Sequence, residues 1–422
     1  MISNQTVIAY ENGKITCTSL YYHFSVTRIS KSDYLYLRSL ALDDCNKQVI
    51  TISFCREGEI LQLGRYVGIM PLPSGFILEI LPKCFRESDS DEQARYVLCN
   101  MLSFANLIPM KSFKDLTQDK MKLPIHHSII RIFLSVLTKL ILKGLSSSYT
   151  IKDEERAVMR GKLLVQKQIR KPIPLPTYFW TKASEYSENR PENRIIRLCL
   201  DIVFPLARAY DHSIFSQIYS CFENIMPSID VEADFRSWSH DRLVSHYTDI
   251  EPWCRLIISG TGIPISGKNI LPALLYQMDR LFESYVGACI RKNLPEGFEL
   301  ISQSTKWSLL TKNSSRINTL RPDFVIRKKG KDYCVLDAKW KIQEQDEVAD
   351  SGDLLQLYAY GRYYLQGSGK MALLYPKTDI FSSVSDCLNY TVDQNLSLQH
   401  IPIDLDKNPE ELKCFLLKAI SN

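Results

Sequence analysis

The sequence lacks the features that would assign it to a secreted or membrane class. It has no run of about 18 apolar residues, so no segment is long and apolar enough for a transmembrane helix. The first residues, Met1-Ile2-Ser3-Asn4-Gln5, lack the basic and then apolar pattern of a signal peptide. The twelve cysteines include no pair with C-x-x-C spacing. We therefore expect a cytoplasmic protein with neither structural disulfides nor a cysteine-based zinc site.

The composition is that of an ordinary globular protein. With 422 residues, 45% of them hydrophobic and 23% charged, the chain can form real cores and is long enough for two or three domains. We predict a β-rich N-terminal domain over 1–90, a mainly helical middle region over 91–270, and an α/β domain with a mixed sheet flanked by helices over 271–422. Within these segments, Tyr34 to Leu42 is predicted as a strand and Leu271 to Lys292 as a helix.

Positive charge is concentrated in two tracts, although the net charge is only +5. The tract from Arg156 to Lys182 has seven basic residues and no acidic residue, and the tract from Ile301 to Gln345 has ten basic residues against four acidic ones. Such tracts indicate a polyanion partner, and the alternative is a pair of solvated faces. The candidate DNA contacts lie in the first tract: Arg160, Lys162, Lys167, Arg170 and Lys171.

The segment from Gly262 to Asn269 nearly matches the pattern of a nucleotide-binding P-loop, but two of its residues are incompatible with that function. Asn269 stands where a P-loop needs a Ser or Thr hydroxyl to reach Mg²⁺. Pro264 removes an N–H from a loop that would have to point N–H groups at phosphate. We interpret the segment as a plain loop rather than a nucleotide-binding site.

Two apolar runs near residue 330 contain the residues that indicate catalysis. The first is Leu320-Arg321-Pro322-Asp323-Phe324-Val325-Ile326 and the second is Tyr333-Cys334-Val335-Leu336-Asp337-Ala338-Lys339. A basic, glycine-containing turn joins them, which predicts a β-hairpin with Asp337 and Lys339 on one face. Two carboxylates can hold Mg²⁺, with Mn²⁺ as a substitute, and the metal acidifies water and stabilises charge on a phosphoryl oxygen. The alternative is a buried Asp–Lys pair in an unrelated sheet.

The pattern PD…DxK resembles the PD-(D/E)XK nuclease superfamily. The resemblance implies that Asp323 and Asp337 are metal ligands and that Lys339 is the catalytic lysine. A helical glutamate often assists the metal site in that superfamily, and Glu283 in Tyr276-Gln277-Met278-Asp279-Arg280-Leu281-Phe282-Glu283 matches it. Gln356 and Tyr360 match the Q-x-x-x-Y of the RecB-like branch. Glu283 is therefore a third candidate ligand and Gln356 a further candidate catalytic residue.

Other blocks resemble McrC proteins, the nuclease subunits of McrBC-type modification-dependent restriction systems. They are Tyr66-Val67-Gly68-Ile69-Met70, Leu78-Glu79-Ile80-Leu81-Pro82-Lys83, Arg160-Gly161-Lys162-Leu163 and Glu192-Asn193-Arg194-Ile195-Ile196, in the family's order. For Gly68, Gly161 and Asn193 we favour a role in maintaining the fold. Residues 1–50 show no motif that we can place.

The McrC resemblance implies a magnesium-dependent DNA endonuclease in anti-phage defence. It implies a partner, an McrB-type AAA+ GTPase hexamer that recognises modified double-stranded DNA and whose GTP hydrolysis this chain stimulates. The N-terminal region, with Arg65, Tyr66 and Lys83, is the expected docking surface, and a second copy of this chain is a further candidate partner within the assembly. Two alternatives stay open: a self-sufficient nuclease of DNA repair or recombination, and a non-catalytic activator of an NTPase.

Overall fold

A computed structural model gives the fold for most of the chain. It describes residues 6–18, 26–43, 47–55, 58–83, 90–104, 124–170, 178–207, 212–259, 261–264, 270–312, 315–345, 347–385, 388–390 and 394–406. The backbone forms two compact units, one containing Met1–Ser128 and Ser259–Asn422 and the other containing Ile129–Ile258. The predicted boundaries after residues 90 and 270 stay predictions, because this division does not assign a function to any segment.

The described helices are spread over both units. They are α1 Lys31–Ala41, α2 Asp91–Phe104, α3 Ile125–Lys143, α4 Val165–Ile169, α5 Pro191–Ala207, α6 His212–Ser220, α7 Val231–Arg236, the 3-10 helix Arg242–Tyr247, α8 Glu251–Ser259, α9 Met278–Asn293 and α10 Ser351–Tyr364. No helix among the described residues is long and apolar enough to cross a membrane.

Two sheets occupy the N-terminal part of the first unit. Their strands are β1 Thr6–Tyr10, β2 Lys14–Thr16, β3 Val26–Arg28, β4 Ile50–Cys55, β5 Gly58–Leu63, β6 Tyr66–Pro71, β7 Ile77–Leu81, β11 Thr261–Pro264 and β12 Ile270–Gln277. One sheet has the order β3-β2-β5-β4 and the other β1-β7-β6-β12-β11. Strand β12 pairs antiparallel with β6, so the second sheet joins residues that lie about 200 positions apart in the sequence.

A six-stranded mixed sheet and a two-stranded ribbon complete the first unit. The strands are β13 Phe298–Ser302, β14 Trp307–Lys312, β15 Ser315–Leu320, β16 Phe324–Lys328, β17 Lys331–Ala338, β18 Gly369–Pro376, β19 Leu388–Asn389 and β20 Leu396–Ile403. The sheet order is β13-β16-β17-β18-β20-β19, with β17, β18 and β20 parallel, and β14 pairs only with β15. Helix α10 packs against β17 and β18 over a core that includes Val335, Leu357 and Leu373. The predicted mixed sheet with flanking helices is confirmed at this level.

The second unit combines helices with a sheet that the sequence analysis did not predict. Its strands are β8 Ser148–Arg156, β9 Lys162–Leu163 and β10 Phe179–Ser187, in the order β8-β10-β9. The long strands β8 and β10 carry exposed side chains such as Tyr149, Ile151 and Tyr186, and the buried positions of β10 hold only the small residues Thr181 and Ala183. The sequence therefore lacks the large buried apolar residues by which strands are recognised. Helices still make up most of the described part of the middle region.

Two predicted elements are wrong. Tyr34 to Leu42 lies in helix α1, where Tyr34, Leu37 and Leu40 are buried at helical spacing and Ser30 caps the first turn. This pattern overrides the β propensity of the aromatic residues. The predicted helix from Leu271 begins only at Met278, because residues Ile270–Gln277 form strand β12 beside β6.

Buried polar contacts join the N-terminal sheet to helix α2 and to the start of α3 within the first unit. Arg95 on α2 donates to Glu79 on β7 at 2.7 Å, and both side chains are buried. The Glu79 carboxylate also accepts from the backbone N–H of Ile125 at 2.7 Å. Helix α2 packs in turn against α9, which carries Glu283. The N-terminal sheet therefore supports the helix behind the candidate site.

Candidate active site

The β16–β17 hairpin brings the two candidate aspartates together. Asp323 directly precedes β16, Asp337 is the penultimate residue of β17, and Phe324 pairs with Leu336. The Asp323 carboxylate accepts from the backbone N–H of Ala338 at 2.9 Å. The predicted hairpin is confirmed, although the first strand begins one residue after Asp323.

Lys339 lies against Asp337, as the sequence spacing predicts. Its Nζ is 2.8 Å from Asp337 Oδ2 and 3.1 Å from Asp353 Oδ1. It also donates to Gln356 Oε1 at 3.2 Å, and Gln356 Nε2 donates to the Tyr360 hydroxyl at 2.7 Å. Helix α10 thus supplies two groups that contact the lysine, and a third group, the Tyr360 hydroxyl, that holds Gln356. Asp353, which the sequence analysis missed, stands one turn before Gln356 on that helix.

Glu283 is connected to the aspartates through a second missed residue. Gln303 follows β13, and its Nε2 donates to Asp323 Oδ1 at 3.0 Å and also to the Glu283 carboxylate. Gln303 has a left-handed backbone (φ 51°), and its N–H donates to the Asp323 carbonyl at 2.9 Å. No sequence pattern points to this glutamine, because its role depends on strand pairing.

Burial, together with the neighbouring negative charges, raises the pKa values of both aspartates. Burial, the Asp337 carboxylate and the Glu283 carboxylate raise the pKa of Asp323 to about 7. Burial also raises the pKa of Asp337, against the opposing effect of Lys339. The ammonium of Lys339 is stabilised by Asp337 and Asp353, which raise its pKa. The lysine therefore stays protonated at neutral pH, whereas burial and mutual repulsion disfavour the charged form of both aspartates.

The donor chemistry fits a hard divalent cation. Within the described residues, no group of three or more His, Cys, Asp or Glu side chains is arranged to hold a metal ion as it stands. Asp323 and Asp337 nevertheless offer oxygen donors of the kind that Mg²⁺ prefers, in a place where added positive charge would relieve their repulsion. Glu283 reaches them through Gln303, so its role as a third ligand stays a prediction.

Glu11 and Trp340 form a buried contact directly behind the site, and the sequence analysis predicted neither. Trp340 follows Lys339 and donates from Nε1 to Glu11 Oε1 at 2.6 Å. The Trp340 ring lies 5.3 Å from the ring of Phe282, which precedes Glu283. The same Glu11 oxygen accepts from the backbone N–H of Lys83 at 3.0 Å. Strand β1 and its following residue are therefore tied to the segment that carries the lysine.

Glu11 should make stability depend on pH. Burial raises its pKa from 4.5 to about 7, so the folded protein binds this proton more tightly than the unfolded chain. The free energy of unfolding should fall as the pH rises from about 4.5 through about 7, by about 3 kcal/mol from this group. Urea unfolding near pH 5 and near pH 8 checks this. Glu11→Gln keeps the acceptor for Trp340 and should reduce the pH dependence of the free energy of unfolding. An equal pH dependence in the variant and the unmodified protein would contradict the raised pKa that we assign to Glu11.

The expected docking residues are engaged within the first unit. Arg65 Nη1 lies 3.3 Å from Asp279 Oδ1 on α9, and the Arg65 carbonyl accepts from the N–H of Met278 at 2.9 Å. The Tyr66 hydroxyl donates to Gln48 at 3.4 Å. A docking role for these residues stays a prediction.

Close backbone approaches explain two glycines of the McrC-like blocks, and hydrogen bonds explain Asn193. A Cβ on Gly68 (φ 131°) would lie 1.9 Å from the Leu274 carbonyl oxygen, and one on Gly161 (φ 76°) would lie 2.3 Å from that of Lys182. Asn193 donates to the carbonyls of Ser146 and Glu188 at 3.0 and 2.8 Å. These contacts favour the predicted role in maintaining the fold.

The basic tract of the second unit is exposed but partly neutralised. Arg160, Lys162, Lys167 and Arg170 are exposed, and Lys171 lies outside the described residues. Lys167 Nζ lies 3.0 Å from Asp153 Oδ2 and 5.1 Å from the centre of the Trp180 ring. Part of the tract therefore has acidic partners on the neighbouring strand, and its DNA-binding role stays a prediction.

A family model described as "McrBC 5-methylcytosine restriction system component" matches residues 61–376, about three quarters of the chain. No curated protein matches the chain. The fold is similar to a chain of the refined half-complex from a tetradecameric assembly of Thermococcus gammatolerans McrB AAA+ hexamers with bound McrC. The TM-score is 0.66, with 18% identity over 98% of this chain and 99% of that chain. A chain of the Thermococcus gammatolerans McrBC complex matches with TM-score 0.44 and 18% identity over 69% of this chain and 88% of that chain.

Proposed function

This chain belongs to the family of McrBC 5-methylcytosine restriction system components, and from that premise we propose that it is the DNA-cleaving subunit of such a system. The observation that supports this most directly is the meeting of Asp323, Asp337 and Lys339 at the ends of adjacent strands. Their order along the chain resembles the PD…DxK pattern of the PD-(D/E)XK nuclease superfamily, which supports the proposal. The reaction is hydrolysis of a phosphodiester bond in double-stranded DNA.

Magnesium is the proposed cofactor, with manganese as a substitute. Asp323 and Asp337 would hold it, with Glu283 assisting from α9. When bound, the cation activates water and stabilises charge on the phosphoryl group. Gln303 orients Asp323 and joins it to Glu283, so it keeps the carboxylate oxygens pointed into one place.

Lys339 acts as a fixed positive charge in this proposal. Asp337 and Asp353 keep its amine protonated, so it is suited to donating hydrogen bonds rather than to accepting a proton. Gln356 and Tyr360 limit its movement from the helix side. From this position the ammonium can orient water and offset negative charge that develops on the phosphate.

The proposed partner is an McrB-type AAA+ GTPase hexamer that brings modified DNA to the nuclease. Co-purification with the product of a neighbouring AAA+ gene, followed by GTP hydrolysis assays with and without this chain, tests the partnership. Faster GTP hydrolysis is the expected result. Full-speed cleavage by this chain alone, without GTP, would instead favour a self-sufficient nuclease, and stimulation without any cleavage would favour a non-catalytic activator.

The basic tract of the second unit is proposed to contact DNA between the partner and the nuclease. The triple variant Lys167→Ala, Arg170→Ala, Lys171→Ala should reduce the slope of log affinity against log salt by about 0.9 for each lost phosphate contact. Because Lys167 already pairs with Asp153, we expect its share to be the smallest. A salt titration of duplex binding measures the slope, and an unchanged slope would identify the tract as a solvated face.

A further inference from the structure

The ribbon formed by β14 and β15 is inserted between two residues of the candidate site. Gln303 precedes it and Asp323 follows it. Trp307 pairs with Leu320 at its base, and Lys312 pairs with Ser315 near its tip. The two residues that flank the ribbon therefore meet at the site, where the side chain of Gln303 donates to that of Asp323.

Helix α10 fastens the base of the ribbon. The Tyr364 hydroxyl donates to the carbonyls of Ser304 and Leu320 at 3.0 and 3.2 Å, which holds both ends of the ribbon together. The Trp307 ring lies 6.1 Å from that of Tyr363. The same helix carries Gln356, which contacts Lys339. The ribbon and the lysine are thus positioned by one rigid element.

Beyond its base, the ribbon exposes apolar side chains. Leu310 and Ile317 are directly paired across the strands, and 58% and 36% of their surfaces are exposed. Leu309, on the opposite face of its strand from Leu310, is also exposed. A two-stranded ribbon is only marginally stable by itself in water. A partner that covers the exposed apolar pair would remove it from water and thereby stabilise the ribbon.

The charge of the ribbon identifies that partner's chemistry. The segment from Ser304 to Pro322 contains Lys306, Lys312, Arg316 and Arg321 and no acidic residue. Lys306 is engaged by Asp332 at 3.0 Å, and Arg316 donates to the Thr305 carbonyl at 3.1 Å. Lys312 lies on β14 and Arg316 lies on β15, at adjacent pairs near the tip. Positive charge on both strands of a thin ribbon complements a groove whose two walls are anionic.

We infer that this ribbon enters the major groove of duplex DNA beside the candidate site. A six-residue strand spans about 20 Å, and the major groove, about 12 Å wide, admits a two-stranded ribbon. Lys312 and Arg316 contact phosphates on the two walls, while Leu310 and Ile317 meet base edges and methyl groups in the groove. The ribbon then sets where along the duplex the site acts. This assignment rests on the proposed function only in taking duplex DNA as the substrate.

The full chain with a short DNA duplex tests the assignment, in a chelator so that no cleavage occurs. Lys312→Ala with Arg316→Ala should reduce the slope of log affinity against log salt by about 0.9 for each lost contact. The matched control is Lys14→Ala with Lys31→Ala, which removes the same charge from exposed positions in the N-terminal part. An unchanged slope in the ribbon variant, an equal change in the control, or no duplex binding by the unmodified chain would overturn the assignment.

Chemical interference identifies the groove. Methylation of guanine N7, which lies in the major groove, should weaken binding of the unmodified chain but affect the ribbon variant much less. Interference at adenine N3 alone would overturn the assignment, because that atom lies in the minor groove. If the ribbon substitutions change DNA binding but the unmodified chain never cleaves DNA with Mg²⁺, groove binding by the ribbon is supported and the nuclease function is rejected. If the chain cleaves DNA but the ribbon substitutions do not change binding, the nuclease function is supported and groove binding is rejected.

Discussion

Replacing Asp337 with asparagine is expected to reduce DNA cleavage by about a thousandfold or more, because it removes a charge that the cation needs. Loss of metal activation costs several kcal/mol of transition-state stabilisation, and each 1.36 kcal/mol is a factor of about ten in rate. Asparagine keeps the shape of the side chain, so the fold and partner binding should persist. Single-turnover cleavage with Mg²⁺, GTP and the partner measures the effect.

Lys339→Ala should have an effect of the same kind, since it removes the ammonium between Asp337 and Asp353. Lys331→Ala is the matched control, because Lys331 begins the same strand and is exposed in the hairpin turn. The control should cut at the normal rate. Near-normal cutting by the Asp337 or Lys339 variant would reject the assigned catalytic roles.

Glu79→Ala is expected to cause the largest loss of stability among single substitutions in the N-terminal sheet. Glu79 is fully buried and bonds both Arg95 and the N–H of Ile125. Its removal leaves the buried guanidinium without its counter-charge, a change that typically costs about 3–5 kcal/mol. Urea unfolding followed by tryptophan fluorescence gives the free energy of unfolding.

Glu59→Ala is the matched control for that substitution. Its ion pair with Arg38 has the same 2.7 Å distance but lies partly in solvent, so its loss should cost much less. Similar losses in the two variants would show that burial of the Glu79–Arg95 pair does not have the energetic importance that we assign to it.

The β16–β17 hairpin could be predicted from the sequence because its signals are local. Apolar β-branched runs flank a turn that contains Gly330, and the spacing of Asp337 and Lys339 places them together. The Q-x-x-x-Y spacing is equally local, and Gln356 and Tyr360 lie one turn apart on helix α10. Short-range periodicity and turn chemistry suffice for such elements.

The supporting residues could not be predicted, because their roles depend on long-range packing. Gln303 acts through the pairing of β13 with β16, and Glu11 meets Trp340 across more than 300 positions of the sequence. The local pattern of β12 predicts the start of a helix, and only its pairing with β6 makes it a strand. Helix α1 shows the opposite case, where aromatic residues favour a strand but their burial follows helical spacing.

Cleavage of modified duplex DNA by the purified chain and its AAA+ partner tests the central claim most directly. The assay combines both proteins with GTP and methylated DNA, and compares Mg²⁺ with excess chelator. We predict cutting that requires Mg²⁺, GTP and the partner together and that disappears with Asp337→Asn. Cutting that persists in chelator, or no cutting under any of these conditions by a complex that hydrolyses GTP, would contradict the account.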